Sequence, residues 1–248
     1  MVRMSFNQLK VEDIEKIFYK INENACELLE EAELLYNHEK YARAYLCAHI
    51  AFEEFGKLPI LYSVALDIHF GKKVNWKKLN KDIRDHQTKI SQSYVSMLLI
   101  LFKFMKVKGY TEFKFSLITN SYDEIMDFLD ETNFSYSEAI EELYLDAENQ
   151  KQINMIPAVA DLLNGFKNSS LYADFHDGIF YKPSERIDKD ICGFGITLAK
   201  IQKKYHQLPD FDKEGFGFNE LTQEIEYSNA LKQFLESVDE LEELQKQK

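Results

Sequence analysis

Residues 41–57, YARAYLCAHIAFEEFGK, place ionisable side chains in the middle of a segment that is otherwise largely apolar. On a helix with about 100° per residue, its polar side chains fall within one arc of about 140°. They are Arg43, His49, Glu53, Glu54 and Lys57. Because charges among apolar neighbours are costly unless paired, the pattern predicts a buried polar cluster, which is often a functional site. The alternative is a solvated face on which Glu53 and Lys57, four residues apart, form an ion pair.

His86 is the histidine best placed for acid–base chemistry. On one continuous helix over residues 76–107, it would lie in the middle of an apolar stripe less than about 90° wide. Asp82 and Lys89 would both reach its imidazole from neighbouring turns. Such a pair can tune an imidazole near neutral pH, as a general acid or base requires. The alternative is a core histidine satisfied by one hydrogen bond.

Residues 167–174, KNSSLYAD, follow a predicted helix and form a third candidate element. Tyr172 and Asp174 could project a phenol and a carboxylate into a shared site, or Tyr172 could be a packing residue with its hydroxyl at the rim. His86, Glu54 and Asp174 are metal-ligand types, but no two of them have HxxxH or ExxH spacing. No phosphate-binding or dinucleotide-binding loop motif is present. We therefore predict neither a metal nor a cofactor.

The chain has 248 residues and a net charge of −12, which argues against a general nucleic-acid-coating surface. One local run is basic, since residues 72–89 hold seven Lys or Arg and two Asp. The longest apolar run, residues 97–102, is too short to span a bilayer, and the N-terminus lacks a signal-peptide core. We therefore expect a cytoplasmic protein without a membrane partner. We expect its cysteines, Cys26, Cys47 and Cys192, to be reduced thiols.

Helical periodicity dominates the chain, and no convincing strand alternation or internal repeat is present. The predicted helices cover Val11–Asn37, 39–68 with a bend or break at Pro59, 76–107 between an Asn75 cap and Gly109, one or two acidic helices in 123–150, 155–175 with Pro157 in its first turn, and 218–247. Residues 176–219, rich in Gly, are expected to be the least regular part. The fold predicted is an all-α antiparallel helical bundle with an irregular segment and a C-terminal helix.

Three elements occur in order along the chain: AxxxAxxAxEEFGK in residues 44–57, HxxK in residues 86–89, and SLYxD in residues 170–174. Together they resemble the AbiV family of bacterial abortive-infection proteins, part of the wider HEPN superfamily. The resemblance covers roughly residues 27–175. It does not account for the acidic segment 112–152 or for the region after Tyr181.

The resemblance implies a HEPN-like helical bundle over residues 1–180, with an acidic helical insertion at about 112–152. Residues 181–248 would then form the irregular segment plus the C-terminal helix, packed on the same domain. It also implies antiphage defence by a toxin that shuts down host translation or growth. Many HEPN proteins are metal-independent ribonucleases that act as homodimers.

Under this interpretation, His86 removes the proton from a ribose 2′-hydroxyl, which then attacks the adjacent phosphate. Lys89 and Lys57 stabilise transition-state charge, and Glu53 or Glu54 holds these groups in place. Further candidates for RNA binding or for the polar cluster are Lys81, Arg84, Lys167, Tyr172 and Asp174.

The basic residues before His86 differ from the usual HEPN pattern, in which an Arg precedes the His with four to six residues between them. Here Arg84 is two residues before His86, and Lys81 has the four-residue gap. An alternative function is therefore a non-catalytic HEPN-type module that binds a protein or RNA partner, and a further alternative is a metal-dependent hydrolase. A phage-encoded or host protein is the expected regulator.

Overall fold

The computed structural model describes residues 9–110, 112–131 and 154–207, together with Phe216. Within these residues the chain forms helices and one short hairpin, which confirms the predicted all-α class. In chain order the elements are α1 (Val11–Asn37), α2 (Tyr41–Phe55), α3 (Lys57–His69), α4 (Trp76–Asp82), α5 (His86–Lys108), α6 (Phe115–Asn120), α7 (Tyr122–Glu131), α8 (Ile156–Leu171), β1 (Asp174–His176), β2 (Ile179–Tyr181), α9 (Pro183–Arg186) and α10 (Lys189–Gln207).

Helix α2 lies at the centre of the bundle and contacts α1, α5, α8 and α10. Its many alanines allow these neighbours to approach closely, and Ala44, Ala48 and Ala51 are fully buried. Helix α10 approaches at Gly195, where an added Cβ would lie 2.8 Å from the ring of Tyr45. The core therefore surrounds the helix that carries the predicted polar cluster.

The predicted helix over residues 39–68 is two helices, and the break lies at Gly56 instead of Pro59. Pro59 is the third residue of α3. In the first turn of a helix the backbone nitrogen has no intrahelical partner, so proline is tolerated there. The predicted break is therefore confirmed, one turn before the proline, because in a continuous helix the Pro59 ring would clash with the carbonyl of residue i−4, which is Phe55, the last residue of α2.

The predicted helix over residues 76–107 is also divided, into α4 and α5. Asn75 caps α4 and Gly109 ends α5 in a left-handed conformation, as predicted. Between them, Asp85 caps a second helix by accepting a hydrogen bond from the backbone N–H of Thr88 at 2.9 Å. His86 is consequently the first residue of α5, not a residue in the middle of a continuous apolar stripe.

Helix α5 is long and apolar enough to cross a membrane by length and composition, with a mean hydropathy of 1.3 over its most apolar window. That window is 83% buried inside the bundle. Burial against α2, α3, α8 and α10 accounts for its composition, because a helix that is apolar on all sides is required at the centre of a core.

The first helix was predicted with the bounds that the structure has, and α8 matches the predicted helix over 155–175 except that it ends at Leu171. The expectation of irregular structure after residue 176 was wrong for residues 189–207, which form α10. Its glycines allow close packing instead of ending the helix. The predicted helix over 218–247 and residues 132–152 of the acidic segment lie outside the described residues, and the domain division stays a prediction.

The sequence pattern also failed to predict the hairpin of β1 and β2. Its turn is Asp177–Gly178, and both residues have positive φ, 50° and 80°. An Asp-Gly pair is a strong signal for such a two-residue turn. The strands hold only three residues each, too few for alternation to be visible.

Candidate functional site

The Glu53 carboxylate is the centre of a cluster that joins α2, α5 and α8. Its side chain is only 3% exposed, and four cationic or imidazole nitrogens surround it. Oε2 lies 2.6 Å from Nδ1 of His86 and 2.8 Å from Nζ of Lys89, both on α5. Oε1 lies 3.2 Å from Nζ of Lys167 on α8 and 3.2 Å from Nε2 of His49 on α2 itself. The predicted buried polar cluster therefore forms around Glu53.

The electrostatic balance of this cluster keeps Glu53 ionised. Burial by itself would raise the pKa of the Glu53 carboxyl, but the contacts from His49 and Lys89 outweigh burial and hold that pKa well below its ordinary value. Two ammonium groups face one carboxylate, so the cluster carries a surplus positive charge before either imidazole is counted. Such a surplus favours an anion at its open side.

His49, one of the polar side chains in the predicted arc of α2, lies inside the cluster, although no chemical role was assigned to it from the sequence. It is 3% exposed, and burial lowers the pKa of its imidazole, which favours the neutral form. Its position four residues before Glu53, in the same arc of α2, was the available signal.

His86 is the exposed member of the cluster, with 61% of its side chain accessible. An ionised carboxylate only accepts hydrogen bonds, so Nδ1 must donate its proton to Glu53. In a neutral ring, Nε2 is then the unprotonated nitrogen. Among the residues that the structure describes, none hydrogen-bonds Nε2. The arrangement gives an imidazole oriented by a buried carboxylate, with a free basic nitrogen toward solvent.

Lys89 shares the oxygen of Glu53 that His86 binds, so the ammonium and the imidazole are held side by side. The side chains of Lys89 and Lys167 are 7% and 13% exposed. Both lysines are thus fixed by Glu53, the carboxylate that also binds the accessible histidine. Of the residues predicted for the site, the structure brings together Glu53, His86, Lys89 and Lys167.

Gly56 sets the distance between the α2–α3 junction and α5. A Cβ at this position would lie 2.0 Å from the carbonyl oxygen of Lys89 and 2.9 Å from Oγ of Ser93. Its φ of −64° is ordinary, so the glycine is required for space and not for an unusual backbone conformation. Ser93 also joins α5 to α2, because its Oγ donates a hydrogen bond to the carbonyl of Phe52. The role of Gly56 was missed by sequence reasoning, although the residue stands in the EEFGK element.

Glu54 and Lys57 form a separate pair beside the cluster. Lys57 binds Oε1 of Glu54, and Asn24 on α1 donates to Oε2 of Glu54 at 3.3 Å. The predicted Glu53–Lys57 pair was therefore wrong, and of the two glutamates expected to hold the site residues in place, it is Glu53 that contacts His86. Adjacent residues on a helix point about 100° apart, which directs Glu54 toward α1.

Lys81 and Arg84 line an open, predominantly basic cleft of about 710 Å³. Its other lining residues are Asn75, Lys77, Lys78, Asn80 and Asp85. Asp85, the residue that precedes His86 in the chain, is among the lining residues, and His86 is not. The predicted approach of Asp82 to His86 was wrong, because the helix is broken between them and Asp82 pairs with Lys78 at 2.8 Å.

Tyr172 and Asp174 are exposed beyond the end of α8. Tyr172 is 60% exposed, and Oδ1 of Asp174 accepts a hydrogen bond from the backbone N–H of Phe175 at 2.7 Å. Within the described ranges, neither side chain contacts Glu53. In the same ranges, no group of three or more His, Cys, Asp or Glu side chains is arranged to hold a metal ion.

A comparison with protein families gives a match to the family model described as AbiV, over residues 13–202. The match includes Glu53, His86, Lys89 and Lys167, and it extends beyond the range of the sequence resemblance at both ends. No curated protein and no solved structure matches the chain. Because the family match covers well over half of the sequence, this chain belongs to the AbiV family of HEPN proteins.

Proposed function

We propose that this protein is a metal-independent endoribonuclease that arrests cell growth in abortive infection. Family membership supports the abortive-infection role. The observation that carries the catalytic part is the accessible imidazole of His86, bonded through Nδ1 to the buried carboxylate of Glu53 at 2.6 Å. Lys89 and Lys167 on the same carboxylate add the positive charge that a phosphate requires.

The geometry supports the following reaction. Nε2 of His86 removes the proton of a ribose 2′-hydroxyl, and the 2′-oxygen attacks the adjacent phosphorus. The bond from phosphorus to the 5′-oxygen breaks, and that oxygen takes a proton from water. The products are a 2′,3′-cyclic phosphate and a 5′-hydroxyl. Glu53 keeps the imidazole in the required tautomer and stabilises the imidazolium that forms. Lys89 and Lys167 stabilise the charge that develops on the phosphate oxygens.

The basic cleft, whose lining includes the residue before His86, supports RNA as the substrate. Lys81 and Arg84 give this region a positive potential that differs in sign from the net charge of −12. Exposed lysines and arginines attract a phosphate backbone over the range of about one Debye length. A homodimer would double this charge, and a phage-encoded or host protein would release or restrain the activity; both remain proposals supported by the family resemblance.

The test is expression of the parent protein, His86→Ala and Lys57→Gln in a bacterial host during phage infection, with growth and total RNA integrity followed together. We expect arrest and RNA fragmentation with the parent and with Lys57→Gln, because Lys57 pairs with Glu54 outside the cluster. We expect neither with His86→Ala. If His86→Ala fragments RNA as the parent does, the proposed catalytic role is incorrect.

A second candidate, a non-catalytic interaction module, is favoured by one observation. Both oxygens of Glu53 are occupied by groups from three helices, as expected for a cluster that fixes helix register. Under this function, the His86→Ala protein would still arrest growth and RNA would stay intact. If a folded His86→Ala protein loses both growth arrest and RNA cleavage, the result supports the nuclease over the interaction module.

A further inference from the structure

His49 is a buried imidazole that the proposed reaction does not use. It is 3% exposed and lies on α2, four residues before Glu53. Its Nε2 is 3.2 Å from Oε1 of Glu53, while Nδ1 of His86 is 2.6 Å from Oε2 of the same carboxylate. One buried carboxylate therefore connects a buried histidine to the exposed histidine that is the proposed general base.

The buried histidine brings a proton to this contact but no charge. Burial lowers the pKa of His49 more than Glu53 raises it, and His86 on α5 and Lys167 on α8 lower it further. An ionised carboxylate only accepts hydrogen bonds, so the nitrogen that faces Glu53, Nε2, carries the single proton of the neutral ring. His49 is thus a neutral donor, unlike the ammonium groups of Lys89 and Lys167 on the same carboxylate.

The donors around Glu53 limit how strongly it attracts a proton to His86. A carboxylate beside an imidazole favours the protonated ring, because opposite charges attract, whereas a general base must be unprotonated at the pH of the reaction. Each further donor on Glu53 draws negative charge away from the oxygen that faces His86. Lys89 does so on Oε2, and Lys167 and His49 do so on Oε1. The cluster can therefore orient His86 and still leave it a base.

We propose that His49 is a positioning residue, which acts through Glu53 to keep His86 available as a base near neutral pH. This inference rests on the proposed nuclease function and adds to it a residue that sets its pH range. His49 is too deeply buried to meet the RNA, so its effect must pass through Glu53. Because the ring is neutral, replacing it by another neutral side chain leaves the net charge of the cluster unchanged. A change at His86 then reports the donor and not a lost charge.

Two variants of the full-length protein isolate the donor. Glutamine offers an amide N–H at the end of a side chain of suitable length, so His49→Gln keeps a neutral donor. Methionine has a similar length without a donor, so His49→Met removes it and still fills the space. Tyr45→Phe is the matched control, because this buried ring lies 5.9 Å from that of His49 and its hydroxyl contacts the carbonyl of Leu163. Thermal melting shows whether each variant is folded.

The first measurement is the pH midpoint at which His86 becomes protonated, followed by the nitrogen NMR shifts of its imidazole between about pH 8 and about pH 5. The chain has six histidines, and single replacements assign their signals. We expect a midpoint about 0.5 pH unit higher in His49→Met than in the parent. His49→Gln and Tyr45→Phe should have the midpoint of the parent.

The second measurement is the pH profile of RNA cleavage by the same proteins. The unprotonated imidazole is the active form, so a higher midpoint moves the acid side of the profile to higher pH. We expect this displacement, by the same amount, in His49→Met and in neither of the other variants. A purely structural role of His49 would lower the rate at every pH and leave the profile in place.

An unchanged midpoint in a folded His49→Met protein would overturn the proposal, as would equal midpoints in His49→Met and His49→Gln that differ from the parent. If His49→Met does not fold, the parent decides. Its nitrogen shifts must show His49 neutral, with the proton on Nε2, while His86 titrates. Protonation of His49 in step with His86 would then reject the proposed role.

These outcomes separate the inference from the proposed function. If the parent cleaves RNA and the midpoint is the same in every variant, the nuclease stands and the role of His49 is rejected. If the parent cleaves no RNA but His49→Met raises the midpoint, His49 sets the protonation of His86 and the nuclease is rejected.

Discussion

Nδ1 of His86 lies 2.6 Å from Oε2 of Glu53, although the two residues are 33 positions apart and belong to different helices. The carboxylate is buried and the imidazole is exposed. This combination fixes the tautomer of the imidazole and leaves its other nitrogen accessible. The proposed chemistry depends on this single contact more than on any other.

Replacing Glu53 by Gln keeps the size of the side chain and removes its negative charge, so it should isolate the electrostatic effect of this contact. Glutamine cannot neutralise Lys89 and Lys167, so we expect a loss of about 3 kcal/mol in the free energy of unfolding and a roughly 100-fold or greater loss of RNA cleavage. Urea unfolding and single-turnover cleavage measure the two effects. Glu54→Gln is the control, with less than about 1 kcal/mol of destabilisation and retained cleavage. Similar behaviour of the two variants would contradict the central position of Glu53.

Gly56 should be intolerant of even one methyl group. Gly56→Ala places a Cβ 2.0 Å from the carbonyl oxygen of Lys89, so α5 must move, and we expect a loss of about 1–3 kcal/mol together with reduced cleavage. Gly165→Ala on α8 has open space around the added Cβ and should be neutral or stabilising by up to about 1 kcal/mol. Thermal melting of both variants tests this, and equal stability of the two would refute the close approach.

Lys89 and Lys167 should be energetically coupled through Glu53. Each single Lys→Met variant leaves one ammonium on the carboxylate, whereas the double variant leaves only the two imidazoles. We therefore expect the double variant to lose about 0.5–3 kcal/mol more than the sum of the single variants. A double-mutant cycle by urea unfolding measures this coupling, and strict additivity would mean that the lysines do not share Glu53.

Stability should fall as the pH falls below neutrality. Burial lowers the pKa of His206 from 6.5 to about 3, and its ring stacks on Phe55 at 5.7 Å. Between these values the unfolded chain binds a proton that the folded chain excludes, so stability is present above pH 6.5 and decreases toward pH 3. The slope is at most about 1.4 kcal/mol per pH unit for one histidine.

Urea unfolding between pH 7 and about pH 5 measures this slope. His206→Phe should reduce the slope and not abolish it, because burial also lowers the pKa of His49. His38→Gln, at an exposed site on the α1–α2 connection, is the matched control. A slope unchanged by His206→Phe would exclude His206 as a source of the acid sensitivity.

Local sequence signals predicted the helices well where they act within one helix. The bounds of α1, the Asn75 cap and the Gly109 terminus follow from periodicity and from the chemistry of the end residues. The break before α5 was not predicted, although Asp favours an N-cap over a helix interior, because the apolar period continues through Asp85 without interruption. The helical periodicity that placed His86 in an apolar stripe assumed one continuous helix. The position predicted for His86 was wrong because the helix is divided at Asp85.

The candidate site was predictable only in part, since its contacts connect residues far apart in the sequence. Glu53 was identifiable as a costly charge among alanines, which indicates that partners must exist but not which ones. Lys167 comes from 114 positions away, and no local period links it to Glu53. The space requirement at Gly56 is set by α5 and is likewise invisible along α2.

The most direct test of the account is the rate at which the purified full-length protein cleaves single-stranded RNA in the presence of a metal chelator, for the parent and for His86→Ala. We predict fragments with 2′,3′-cyclic phosphate and 5′-hydroxyl ends for the parent, and a rate roughly 100-fold or more lower for the variant at unchanged melting temperature. Cleavage by His86→Ala at the parent rate, or loss of parent activity on chelation, would contradict it.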